Sequence, residues 1–132
     1  MRRYMLDTNI VSHLIKKHPV VSQRIVETPM SSLCISAITQ AELMFGLAKR
    51  PSAKRLHLAV RELLKRLDVL SWDHSISESC GIIRAKLQSR GKSLSPLDLL
   101  IAAHALTLDM VLVTSDQAFN QVAGLLVENW TE

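Results

Sequence analysis

The sequence predicts an α/β fold of three layers, a central parallel sheet flanked by helices on both faces. Three observations predict it. Short apolar runs of strand length recur along the chain, segments with helical periodicity separate them, and no repeat, low-complexity tract or interdomain linker divides the 132 residues. A single domain over residues 1–132 is expected, since chains divide only at roughly 250 residues or more. Strands alternating with helices imply right-handed crossovers, which send ligands to the carboxyl ends of the strands. Chemistry is therefore sought just after each apolar run.

The first run is Tyr4 to Leu6, followed at once by Asp7-Thr8-Asn9. The second is Leu33 to Ile35, after which Ser36 through Glu42 opens a helix; Lys49-Arg50-Pro51-Ser52 reads as a connection between helices. Leu56, Val60, Leu63, Leu64 and Leu67 recur at helical spacing, as do Ile76, Cys80, Ile83 and Leu87 after a third run at Val69 to Trp72. Ser95-Pro96-Leu97-Asp98 opens another helix, Val111 to Thr114 is the fourth run, and Leu125 to Val127 is a weaker fifth. Arg55, Arg61, Lys65, Arg66, Arg84, Lys86 and Arg90 fill the other positions of the two amphipathic helices. Their default reading is a solvated face, with RNA contact as the alternative.

Hydrophobic residues at 48% against 21% charged exclude a disordered chain. The 16 Lys and Arg outweigh 12 Asp and Glu, for a formal charge of +4. That suits an anionic partner without specifying one. If four acids were sequestered around metal, eight would remain against 16 basic residues and the outer surface would be distinctly positive. Cys34 and Cys80 lack CxxC spacing and sit in apolar surroundings, so free thiols in a reducing compartment are expected. Nothing near Arg2 and Arg3 resembles a signal peptide, and no apolar run approaches the roughly 18 residues of a membrane span, so a cytoplasmic protein is expected.

Four acids stand where the fold would gather them. Asp7 follows the first run directly, Asp116 follows the fourth after Ser115, and Glu42 and Asp98 lie in or near the first turns of helices that would start at the same edge. Each also has a structural explanation. Asp7 and Asp116 can cap the helices after them, while Thr39-Gln40-Ala41-Glu42 and Ser95-Pro96-Leu97-Asp98 match capping boxes. Taken together they favour chemistry, because desolvated carboxylates cost several kcal/mol unless a cation neutralises them. Hard oxygen ligands select Mg²⁺ or Mn²⁺, which suits phosphodiester hydrolysis.

Other chemistries lack their motifs. With glycines only at 46, 81, 91 and 124 there is no P-loop and no GxGxxG. His13, His18, His57, His74 and His104 show no zinc-site spacing, and His104 reads as a core or helix-surface residue. No nucleophile elbow is present.

The residues just quoted resemble those of the PIN-domain toxins called VapC. The segments are Met5-Leu6-Asp7-Thr8-Asn9, Ile35-Ser36 through Glu42 to Gly46, Leu97-Asp98 with Ile101-Ala102-Ala103-His104-Ala105, and Val113-Thr114-Ser115-Asp116 with Phe119. Their order and spacing span nearly the whole chain. The resemblance implies a PIN-like fold and a Mg²⁺-dependent endoribonuclease acting as the toxin of a toxin–antitoxin pair. Its acids would be Asp7, Glu42, Asp98 and Asp116, with Asp7 and Asp98 the usual metal ligands and Thr8, Asn9, Thr114 and Ser115 in support. It further implies a VapB-type antitoxin, a homodimer within a higher assembly, and structured RNA as substrate. The ending from Gly124-Leu125 to Glu128-Asn129-Trp130 is similar to a subgroup in enteric bacteria, which implies initiator tRNA cut in its anticodon region. An antitoxin Arg could pair with Asp7, Glu42 or Asp98. Met44, Phe45 and Leu47 could seat the antitoxin, form a dimer interface or belong to the core.

Two rival readings are weighed against this one. A phosphatase of the haloacid dehalogenase type also places Asp after its first strand, but it needs a second acid two residues on, where this chain has Asn9. A non-catalytic RNA- or partner-binding module would treat all four acids as caps. Five aromatic residues give base stacking little to work with.

Overall fold

The computed structural model describes residues 2–132. Five parallel strands form one sheet in the order β3-β2-β1-β4-β5. They are β1 (Tyr4–Leu6), β2 (Leu33–Ser36), β3 (Asp68–Leu70), β4 (Val111–Val113) and β5 (Val127–Glu128). Six helices connect them: α1 (Thr8–Ile15), α2 (Pro19–Glu27), α3 (Ala37–Ala48), α4 (Lys54–Arg66), α5 (His74–Ser89) and α6 (Pro96–Thr107).

Side chains alternate across each strand, so every central strand feeds two cores. Met5, Cys34 and Leu112 pack with Ile76, Ile83 and Leu87 of α5 and Ile101, Ala102 and Ala105 of α6. Leu6, Leu33, Ile35 and Val113 face the other way, onto Ile10, Val11, Val21, Leu43, Leu47 and Val60 from α1 through α4. Three layers result, as the alternation of runs and helices predicts.

The register fixes the working edge. Leu6 pairs with Val113, and the Asp7 amide donates to the Val113 carbonyl at 2.9 Å, carrying the β1–β4 ladder one residue further. The chain builds outward from β1 to β2 and β3, then returns to add β4 and β5 on the other side. Between β1 and β4 the strand order reverses, which opens a crevice at their carboxyl ends.

Three sequence expectations shift. The third strand ends at Leu70 and not at Trp72, because the Trp72 indole turns away to donate to the Leu100 carbonyl at 3.1 Å and Asp73 then caps α5. The fifth strand is Val127–Glu128 and not Leu125–Val127, displaced by the turn at Gly124, whose φ of 84° only glycine adopts freely. The Thr39–Glu42 capping box does not form. Ser36 caps α3 by accepting from the Ile38 amide at 3.0 Å, so Thr39 and Glu42 lie inside the helix.

Cys34 is buried and free, with burial pushing its thiol up to about 11, and Cys80 is half-buried and free. Leu47 is core, Met44 packs against it, and Phe45 is 63% exposed. No helix among the described residues is long and apolar enough to cross a membrane.

Candidate active site

The crevice between β1 and β4 is built around Asp7, which is 4% exposed. Its Oδ1 accepts from the Thr8 amide at 2.8 Å, capping α1. Its Oδ2 accepts from Asn9 Nδ2 at 2.9 Å and from Thr114 Oγ1 at 2.8 Å. The Thr114 hydroxyl in turn accepts from the Asp116 amide at 3.1 Å, and Asn9 Oδ1 accepts from the Ser115 amide at 3.1 Å. The four expected supporting residues thus tie the turn after β4 to the turn after β1. Thr8 also reaches α3, its hydroxyl donating to Glu42 Oε1 at 2.7 Å.

Every hydrogen bond to the Asp7 carboxylate comes from a neutral donor. None of Asp7, Glu42, Asp98 and Asp116 has an ion-pair partner among the described residues, whose three ion pairs lie elsewhere. Burial pushes Asp7 up to about 6, against the hydrogen bonds from Thr114 and Thr8, and the charges of Asp98 and Glu42 push it further. Asp98, half-buried, is also raised, first by burial and then by the charge of Asp116. The fold therefore brings the four predicted acids into one electrostatic neighbourhood. Its centre is buried and its rim is open, since Asp116 is exposed.

Capping and clustering prove compatible. Ser95 Oγ accepts from the Asp98 amide at 3.4 Å with Pro96 at the first helical position, and Asp116 Oδ1 accepts from the Ala118 amide at 2.9 Å. The helix after Asp116 is only a 3₁₀ turn over Gln117–Gln121. No three His, Cys, Asp or Glu side chains among the described residues converge as a ready-made metal cage. The donor set is all oxygen, it is anionic, and it lacks an internal cation, which is the chemistry a hard divalent ion requires.

The PIN domain family profile matches residues 4–125. The chain belongs to the PIN-domain family. This PIN domain is 33% identical over 132 residues to a tRNA(fMet)-specific endonuclease VapC of Shigella flexneri, covering 99% of this chain and 100% of that one. It is 35% identical to ribonuclease VapC2 of Haemophilus influenzae, with 98% and 99% covered. In three dimensions it is similar to a chain of DNA-bound VapBC from Salmonella typhimurium, with a TM-score of 0.91, 35% identity, and coverage of 98% and 99%.

Beneath the acids this PIN domain holds buried polar contacts that sequence reasoning missed, although it named the residues and read His104 as a core or helix-surface residue. Thr39 is fully buried, its hydroxyl 3.4 Å from that of Thr8. His104 is a core residue, with Nδ1 2.8 Å from Ser36 Oγ and Nε2 without a hydrogen-bond partner among the described residues. Burial pushes its pKa down, disfavouring the charged ring, against the charge of Asp73. The pair couples α6, which carries Asp98, to the cap of α3, which carries Glu42. The one available signal was Ser36 directly before a helix; a partner 68 residues away leaves none. Among the basic residues of α4 and α5, Lys65 is committed to Glu62 at 3.1 Å.

Proposed function

We propose that this protein is the toxin of a toxin–antitoxin pair, an endoribonuclease that hydrolyses phosphodiester bonds in RNA at a divalent metal centre. The observation that carries the reading is a buried carboxylate, Asp7, held by three neutral donors, within electrostatic reach of Asp98 and Glu42 and without an ion-pair partner among the described residues. Asp7 and Asp98 are the proposed ligands for Mg²⁺, with Mn²⁺ also accepted, and Glu42 and Asp116 complete the acidic rim. An ion bound there would stabilise charge on the phosphoryl oxygens and lower the pKa of bound water.

The chain's own groups supply the order. Thr114, Asn9 and the Thr8 amide fix both Asp7 oxygens, so no side-chain reorganisation is needed when the substrate arrives. The Thr8 hydroxyl holds one oxygen of Glu42 and leaves the other available to orient a nucleophilic water. A VapB-type antitoxin is the proposed partner, with a homodimer of this chain inside the larger complex. The relatives named for tRNA(fMet) favour an initiator tRNA as substrate, and the family resemblance adds its anticodon region as the proposed place of cleavage.

The test is cleavage of RNA with Mg²⁺ or Mn²⁺, repeated with EDTA and with a phosphomonoester. Metal-dependent cleavage of RNA alone is expected. Phosphomonoester turnover would return the phosphatase reading, and RNA binding without cleavage would return the non-catalytic module.

A further inference from the structure

A groove of about 260 Å³ leads away from the acidic edge between α1, α3 and the start of α4. Its wall holds Thr8 and Glu42 of the candidate site and the cations Lys16, Lys49 and Arg50, with Leu43, Leu47, Leu56 and Val60 as apolar lining between them. All three cations are exposed, and none has an ion-pair partner among the described residues. The loop that presents two of them is pinned, because the Arg50 carbonyl accepts from the Ala53 amide at 3.1 Å and stands 2.9 Å from His57 Nε2.

Two further features sit on α3. Phe45 is 63% exposed, and Lys49 Nζ lies 4.6 Å from its ring centroid, so an aromatic face and a cation are offered together. Gly46, beside it, lines the groove inside a helix that glycine weakens. Its φ is not positive and nothing lies within 4 Å of where a Cβ would stand, so neither strain nor crowding demands glycine there. What Gly46 does is leave the groove floor bare.

Resting on the ribonuclease reading above, we propose that this groove is the path of a single-stranded RNA segment flanking the scissile phosphate, with Lys16, Lys49 and Arg50 on backbone phosphates and Phe45 under a base. Charge decides the occupant. Carboxylates at one part of the groove repel phosphate, so a nucleic-acid strand needs compensating cations beside them, and the groove supplies three. A second copy of this chain, at a formal +4, would bring like charge to those same cations. An exposed aromatic beside a basic groove is the pairing that sequence-tolerant single-strand binding uses.

The experiment measures affinity for a short fluorescein-labelled single-stranded oligoribonucleotide by anisotropy, in EDTA, across a salt series. Lys49→Gln with Arg50→Gln should weaken binding and flatten log K against log salt by about 0.7 for each phosphate no longer engaged. Phe45→Ala should weaken it by about tenfold, with Phe45→Trp restoring it. Gly46→Met, a good helix former with open space above it, should fold and obstruct the strand. Arg84→Gln with Lys86→Gln, the same charge change on α5, should leave affinity within about twofold, since those cations lie off the proposed path. An equal drop in affinity from the α5 pair would reduce the effect to net charge and overturn the groove. RNA affinity unchanged in Phe45→Ala, with dimerisation or antitoxin binding abolished instead, would make this face a protein interface and overturn it too. Because nothing is cleaved in EDTA, a parent protein inactive on RNA would defeat the nuclease reading without touching this measurement.

Discussion

Two carboxylates stand within a residue of each other in register at the same edge of the sheet and are treated in opposite ways. Glu128, opposite Val113 at the end of β5, accepts from Arg24 at 3.2 Å and from the Trp130 indole at 2.9 Å. The Arg24 guanidinium lies 4.9 Å from the Trp130 ring centroid, and that ring packs against Tyr4 at 5.2 Å. Asp7, beyond the end of β1, is more deeply buried, yet it receives only neutral donors and has acids for neighbours. The chain neutralises the carboxylate that fastens its C-terminal strand and leaves the other to be neutralised from outside. An uncompensated buried charge is an expensive feature to keep, and a bound cation is the physical reason to keep it.

The largest expected effect separates the two carboxylates by activity. Asp7→Asn and Asp98→Asn should each abolish RNA cleavage while far-ultraviolet circular dichroism shows the fold retained. Glu128→Gln should cleave at the parental rate below its melting point. Equal loss of cleavage in a folded Glu128→Gln variant would break the contrast.

Next in size is the support of Asp7. Thr114→Val preserves shape but removes the hydroxyl that donates to Asp7 Oδ2 and accepts from the Asp116 amide. Loss of such a positioning bond lowers metal affinity by about 10–100-fold, which calorimetric titration with Mn²⁺ would read, and Thr114→Ser should restore it. Affinity unaltered in Thr114→Val would mean that Asp7 is oriented by the Thr8 amide and Asn9 alone.

How much of this edge was legible in sequence depends on distance along the chain. Asp7 and Asp116 could be placed because each follows an apolar run, and parallel pairing sends both to one edge. Asp98 could be placed because Ser95 and Pro96 mark where α6 starts. Glu42 was found for a partly wrong reason. The box expected at Thr39 gives way to the Ser36 cap, one turn earlier, yet the helix still delivers Glu42 to Thr8. The Arg24–Glu128 clamp and the Ser36–His104 pair were not legible, since their partners lie 104 and 68 residues apart and meet only through strand register. The groove cations were not legible because helical periodicity marks only the basic faces of α4 and α5, while Lys49 and Arg50 lie in the turn that follows α3.

The third expectation is a pH dependence carried mainly by the uncompensated Asp7, with Asp98, also raised, adding to it in the same direction. Asp7 has its pKa raised from 3.8 to about 6, so its contribution to stability is fully present below pH 3.8 and is lost as pH rises through 6. A difference of that size corresponds to roughly 3 kcal/mol. Metal-free protein should therefore melt at progressively lower temperature across that window, by thermal denaturation followed by circular dichroism. Saturating Mg²⁺ and Asp7→Asn should each flatten the trend. An equally steep decline in Asp7→Asn would assign the titration to another group.

The smallest effect belongs to the compensated carboxylate. Arg24→Ala removes an ion pair whose side chains are 41% and 33% exposed, so solvent screens most of its attraction, and it also removes the cation over Trp130. Exposed pairs contribute about 0–1 kcal/mol and an exposed cation–π contact about 0.5–1, so a loss of about 1 kcal/mol is expected. For a domain of this size that corresponds to a fall in Tm of about 2–6 °C. The sharper discriminator is its dependence on metal. Glu128 keeps the Trp130 indole as a donor and stands apart from the acids that influence Asp7, so the fall should be the same in EDTA and in saturating Mn²⁺. If Mn²⁺ erased it, the Glu128 carboxylate freed by Arg24→Ala would be binding the ion as well, and the division of the edge into a fastened end and a metal-binding end would collapse.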